Sequence, residues 1–193
     1  MRASRLAVWH AWSVSILCFA LFVSPHPTGS VAGNNVSFAR DVGAPDFYAR
    51  ILLLGGSIVF GVGSLDGNGF RKPLRDALRQ AGWKVNMVGN RANGPMKDNS
   101  VEAKSGDRVD QIHEAAKASF KYQPNIVLIN GGTNDCDQDY DLDNIGARME
   151  ALLDDLFNEI KGTTIILSTV IPSNKDSIAS RRMKVNNRYR SLV

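Results

Sequence analysis

The sequence predicts an α/β fold with a parallel sheet and helices on both faces. Two observations predict it. Short apolar runs alternate with segments of helical periodicity from residue 50 onward. Three consecutive runs also end in small or amide residues: Gly55-Gly56-Ser57, Gly89-Asn90 and Gly132-Thr133-Asn134-Asp135. Strands alternating with helices are the signature of a parallel sheet, and such sheets bind ligands beyond the carboxyl ends of their strands. At 193 residues the chain suits one domain with a substantial core.

In chain order, Arg50 to Leu54 reads as the first strand. Leu74, Ala77, Leu78 and Ala81 fall on one face of a helix over residues 73–81, and Gly82 stops it. Lys84 to Val88 is a second, short strand, followed by a polar loop from Gly89 to Gly106 that is long enough to suspect a working role. Asp107 is placed to cap a helix carrying Val109, Ile112, Ala116 and Phe120. Asn125 to Ile129 forms the third strand. Ile145, Met149, Leu152, Leu153, Leu156 and Ile160 make a strongly amphipathic helix that Gly162 closes. Thr163 to Ile171 is the fourth strand, stopped by Pro172, and a helical stretch with Ile178, Val185, Tyr189 and Leu192 follows.

The first 32 residues have the layout of a secretory signal peptide. Arg2 and Arg5 precede the apolar run Ile16 to Val23, then come Pro25, Pro27 and the small residues Ser30 and Ala32. An uncleaved anchor is the rival, but His10, Ser13 and Ser15 leave it short for a span of about 20 residues. The expectation is cleavage after Ala32, a polar lead-in over 33–48, a secreted product and no stable membrane association afterwards. Cleavage leaves 21 basic against 19 acidic residues, a net charge of +2. With no basic cluster interleaved with aromatics, a nucleic-acid partner is not expected. Cys136 becomes the lone thiol, so no internal disulfide is expected. Asn35-Val36-Ser37 is a glycosylation sequon.

Several chemistries fail on the residues. A phosphate-binding loop from Gly56 would need lysine where Val62 stands, and the dinucleotide fingerprint would need glycine at Asp66. The nucleophile elbow would need glycine at Val59. His113 and Cys136 are the sole residues of their types after residue 32, which argues against zinc, and no cofactor is expected. What fits is a serine nucleophile, Ser57, with oxyanion donors at neighbouring strand ends: the N–H groups of Ser57 and Gly89 and the side-chain amide of Asn134. His113 sits beside its helix's apolar stripe and reads as a packing residue. In the acidic run Asp135, Asp137, Asp139, Asp141 and Asp143, most positions read as a solvated loop that also supplies a helix cap. Asp135 reads as an organiser of its turn. A calcium loop would need a glycine and a glutamate that this run lacks.

The blocks LLLGGSI, VNMVGN and INGGTND resemble the first three blocks of the SGNH (GDSL-type) hydrolases. VEAKSGDRVDQI, Val101 to Ile112, is similar to the loop–helix segment of their carbohydrate-esterase branch, which includes acetylxylan esterases. The resemblance runs from about Arg50 to the last residue. It implies a flavodoxin-like three-layer α/β/α sandwich over residues 49–193 and metal-free hydrolysis of acetyl or short acyl esters of carbohydrate. It also implies Ser57 as nucleophile, with Gly89 and Asn134 in the oxyanion hole. Two departures stand out. Gly56 replaces the aspartate that usually precedes the serine, and the family's Asp-x-x-His and fifth strand are missing after the fourth strand. The expectation is therefore a C-terminally incomplete chain, inactive as given. The alternatives are a non-catalytic glycan- or ester-binding protein of the same fold and, more weakly, a membrane-anchored accessory protein.

Overall fold

The computed structural model describes residues 47–192; the segment expected to be a signal peptide, the sequon and nearly all of the expected lead-in lie outside them. The elements are β1 (Tyr48–Gly55), α1 (Ser57–Phe60), α2 (Arg71–Gln80), β2 (Lys84–Val88), β3 (Arg91–Ala92), β4 (Ser100–Ala103), α3 (Val109–Lys117), β5 (Ile126–Asn130), α4 (Thr133–Gln138), α5 (Ile145–Glu159), β6 (Thr164–Leu167) and α6 (Asp176–Arg190).

β1 is central, and its alternating side chains seed two cores, as a period of two requires. Leu52 and Leu54 face a layer built with Ile112, Met149, Leu152, Leu156 and Tyr189 of α3, α5 and α6. Ile51 and Leu53 face the opposite side, where Leu74 and Leu78 of α2 pack. Helices therefore cover both faces, giving the expected three layers. β1 pairs in parallel with β5, and β5 with β6. Among the described residues β6 pairs with β5 alone, and its Ile166 is half exposed.

The other edge of β1 is shared by two strands. β2 runs beside its first half, with Val88 level with Leu52, and β4 takes over at the far end, with Ala103 level with Gly55. β4 and its antiparallel partner β3 lie in what the sequence presents as loop. Four residues around a buried Glu102 do not advertise a strand. Glu102 is tolerated because its carboxylate accepts hydrogen bonds from Asn90, Arg91 and Ser119. The fourth strand is shorter than expected. Ser168 N still donates to the Ile129 oxygen of β5 at 2.9 Å, but beyond it the chain leaves the ladder, and the Val170 N–H and C=O bond the Asn186 side chain of α6 instead. No helix among the described residues is long and apolar enough to cross a membrane.

Candidate functional site

β1 ends on Gly55 because nothing larger fits: a Cβ there would overlap the Asn130 carbonyl oxygen and a methyl of Val59. Gly56 precedes α1, and Ser57 is that helix's first residue, half-buried at the top of the sheet. A narrow groove opens there, lined by Gly56, Ser57, Ile58, Asp107 and the segment Asn130–Asn134. The structure thus brings Ser57 and Asn134 together, as the sequence predicts.

Asn134 Nδ2 donates to the Asp107 backbone oxygen at 2.7 Å, which fixes the amide between the β5–α4 turn and the β4–α3 loop. Among the described residues the one acceptor of this amide is the Asp107 oxygen, which leaves its second N–H to a ligand or water. The turn before it needs glycine. Gly132 has φ +100, and a Cβ would stand 2.7 Å from Tyr189 Oη and 3.1 Å from a Val170 methyl.

Asp135 is fully buried and ties three elements together. Arg148 Nη1 of α5 donates to its Oδ1 at 2.8 Å, and the Val109 N–H at the start of α3 donates to its Oδ2 at 3.2 Å. Burial pushes this carboxyl above the usual range, while Arg148 and the Val109 N–H pull it back. Asp135 is the turn organiser the sequence suggested, and more. It supplies the acceptor expected of Asp107 at the α3 N-terminus. The residue before α3 is Arg108, whose N–H donates to Gln111 Oε1, so Asp107 is not the cap.

Gly89 is not brought to this groove. β2 ends level with Leu52, three residues short of Gly55, so Gly89 stays behind. Its missing Cβ faces the backbone of Val101 and Glu102 at close quarters, which is why glycine stands there. The neighbour of Ser57 is instead the turn at the end of β4. Lys104 N donates to the Gly55 oxygen at 3.2 Å, and Asp107 N closes the turn onto the Lys104 oxygen. Within it Gly106 has φ +91 and open space where a Cβ would be. The signal for this turn lay in the sequence as Ser105-Gly106-Asp107, at the end of the loop suspected of a working role, though no oxyanion donor is assigned there from sequence.

His113 belongs elsewhere. Its Nε2 lies 2.7 Å from Asp155 Oδ2 of α5, so it links α3 to α5 as a packing residue. Asp110 and His113 happen to have the Asp-x-x-His spacing, but Asp110 bonds Arg148. Both line a second, wider cleft to which Ser57 does not contribute. Among the described residues no histidine lines the Ser57 groove.

The acidic run is more ordered than a solvated loop. Asp137 pairs with Lys175 at 2.6 Å, Asp139 with Arg181 at 3.1 Å and Asp143 with Lys184 at 2.6 Å, lacing this segment to α6. No side chain of the run caps α5. Burial pushes the Cys136 thiol up to about 11, which leaves it inert at neutral pH. Among the described residues no group of three or more His, Cys, Asp or Glu is arranged to hold a metal ion.

Residues 53–193 match the model of the GDSL-like lipase/acylhydrolase family. Solved structures agree on the fold. The Clostridium thermocellum family 3 carbohydrate esterase is 22% identical with a TM-score of 0.67, the match covering 75% of this chain and 72% of that one. A carbohydrate esterase family 3 structure from Talaromyces cellulolyticus is 21% identical with a TM-score of 0.65 and the same coverage. The psychrotrophic esterase EstA from Pseudoalteromonas sp. is 18% identical with a TM-score of 0.58, over 75% of this chain and 71% of that one. A search of curated proteins gave no significant match.

Proposed function

The chain belongs to the GDSL-like lipase/acylhydrolase family, and from that premise we propose that it is a secreted serine esterase of acetyl or other short acyl esters, with carbohydrate as the alcohol part. The observation that carries this reading is the shared groove of Ser57 and Asn134 at the carboxyl ends of β1 and β5. Ser57 Oγ attacks the ester carbonyl. The oxyanion that forms is met by the Ser57 N–H, the free amide N–H of Asn134 and the backbone of the Lys104–Asp107 turn, which takes the place expected for Gly89. Electrostatic help of this kind needs no metal.

A serine hydroxyl is a weak nucleophile until a base takes its proton, and residues 47–192 present no histidine to Ser57. Residual catalysis of about 10³–10⁴ over water is what oxyanion binding alone sustains when a triad member is absent. The proposal therefore expects slow hydrolysis of p-nitrophenyl acetate that free imidazole accelerates. Ser57→Ala should abolish the increment, and Asn134→Ala should cut it by about 10²–10³-fold with little change in KM. An increment that survives in Ser57→Ala would refute the assignment. A second reading of the same groove, whose lining among the described residues includes no histidine, is a non-catalytic glycan- or ester-binding protein, which predicts ligand binding with no imidazole rescue.

Export is part of the proposal, resting on the signal layout of residues 1–32. N-terminal sequencing of material from the medium should begin at Gly33; an intact Met1 would point to an anchor.

A further inference from the structure

Asp107 is 8% exposed, yet among the described residues its carboxyl makes no hydrogen bond or ion pair. A carboxyl with so little exposure normally finds a hydrogen-bond partner; here Lys104, Arg91 and Arg108 attract it through space without bonding it. Its position explains the vacancy. Asp107 lines the Ser57 groove on one side and a cleft of about 450 Å³ on the other, and it is common to both.

That cleft lies between the Lys104–Asp107 turn, α3 and α5, and its volume is that of a small-ligand site. Its chemistry is specific in kind. Apart from Ala115 and Ala151 every lining side chain is polar, His113 included, and no Phe, Tyr or Trp lines it, so an acyl chain would gain little there. Arg91, Lys104 and Arg148 stand against Asp107, Asp110 and Glu114, so no net sign favours an ion. Most of these charges are already committed: Arg91 to Glu102, Arg148 to Asp110 and Asp135, and Glu114 to Lys117. Lys104 is exposed and, like Asp107, makes no side-chain hydrogen bond or ion pair among the described residues. This carboxylate and ammonium attract each other without a hydrogen bond between them, so both keep bonding capacity beside the serine groove, which matches a neutral ligand carrying several hydroxyls.

We propose that this cleft is the subsite for the polyhydroxylated alcohol portion of the ester, with the Asp107 carboxyl and the Lys104 ammonium hydrogen-bonding sugar hydroxyls while the acyl group lies against Ser57. The inference rests on the esterase reading for its place in the reaction, but the binding it predicts does not depend on turnover.

The test is an amide chemical-shift titration of the secreted chain with xylobiose, and with ethyl acetate as an ester that carries no hydroxyl. Xylobiose should move the resonances of Lys104, Gln111, Ala115 and Ala151, and ethyl acetate should not. Asp107→Ala should weaken the xylobiose response at least about fivefold. Lys104→Ala, at an exposed position, should weaken it about threefold. The Ser57→Ala protein should respond like the wild type, so loss of Ser57-dependent hydrolysis with binding intact would remove the esterase reading and leave the subsite standing. Xylobiose shifts that are absent, that fall elsewhere on the molecule, or that persist undiminished in both Asp107→Ala and Lys104→Ala would overturn the proposal.

Discussion

The two walls of the serine groove are built on opposite principles. The β5–α4 wall, Asn130 to Asp135, is closed: Gly132 is wedged against Tyr189 and Val170, and Asp135 is buried with both oxygens bonded. The β4–α3 wall, Lys104 to Asp107, is open: Gly106 has free space beside it, and Lys104 and Asp107 keep unused bonding capacity. Polar groups satisfied within the protein make scaffold, whereas groups left unsatisfied near a reactive side chain are reserved for something the protein must bind. The first wall holds Asn134 in place. The second faces the ligand.

The largest effect that should separate the walls comes from Arg148→Ala. It strands the Asp135 carboxylate in the core with only backbone N–H donors, that of Val109 and its own, and breaking a buried pair this way costs about 3–5 kcal/mol. On the open wall Lys104→Ala should stay within about 0.5 kcal/mol, as for a surface change away from any special feature. Urea unfolding of the two variants measures both. Comparable losses would erase the distinction.

A smaller contrast uses two glycines that share the left-handed backbone. Gly106→Ala meets only conformational strain, about 1–2 kcal/mol, because nothing lies within 4 Å of the new methyl. Gly132→Ala carries the same strain and in addition forces Tyr189 and Val170 aside, which adds about 1–3 kcal/mol. Thermal unfolding should rank them in that order, and the reverse order would contradict the closed-wall description.

The smallest effect lies outside the groove, in the ties between α4 and α6. The hydrogen bonds from Lys175 and Ser177 hold the Asp137 carboxyl below its usual range. A lowered carboxylate contributes stability that is present above the ordinary value near 4 and is lost as pH falls through the folded value. Asp135 and Asp107, both raised by burial, have the opposite sign and lose stability as pH rises through the window above 4. Asp137→Asn should therefore narrow the drop in urea midpoint between pH 6 and pH 3 relative to the wild type. The pair is exposed, so the change should be slight.

What the sequence determined by itself is what short-range pattern encodes. Period-two and period-3.6 spacing of apolar residues gave the alternation of strands and helices, and with it the α/β class. The same alternation placed Ser57 and Asn134-Asp135 beyond the carboxyl ends of strands, and the pairing of β1 with β5 brings them into one groove. Tertiary structure decided the rest, because pairing register and partner choice depend on contacts far apart in the chain. It let β4 displace β2 at the end of β1, so that the Lys104–Asp107 turn rather than Gly89 meets the serine. It gave Asp135 a partner thirteen residues away on α5 and matched Asp137 to Lys175 just before α6, and Asp139 and Asp143 to bases on α6. And it left Asp107, which local spacing marks as a helix cap, facing the cleft with no partner, since the cap's acceptor had already come from Asp135 across the fold.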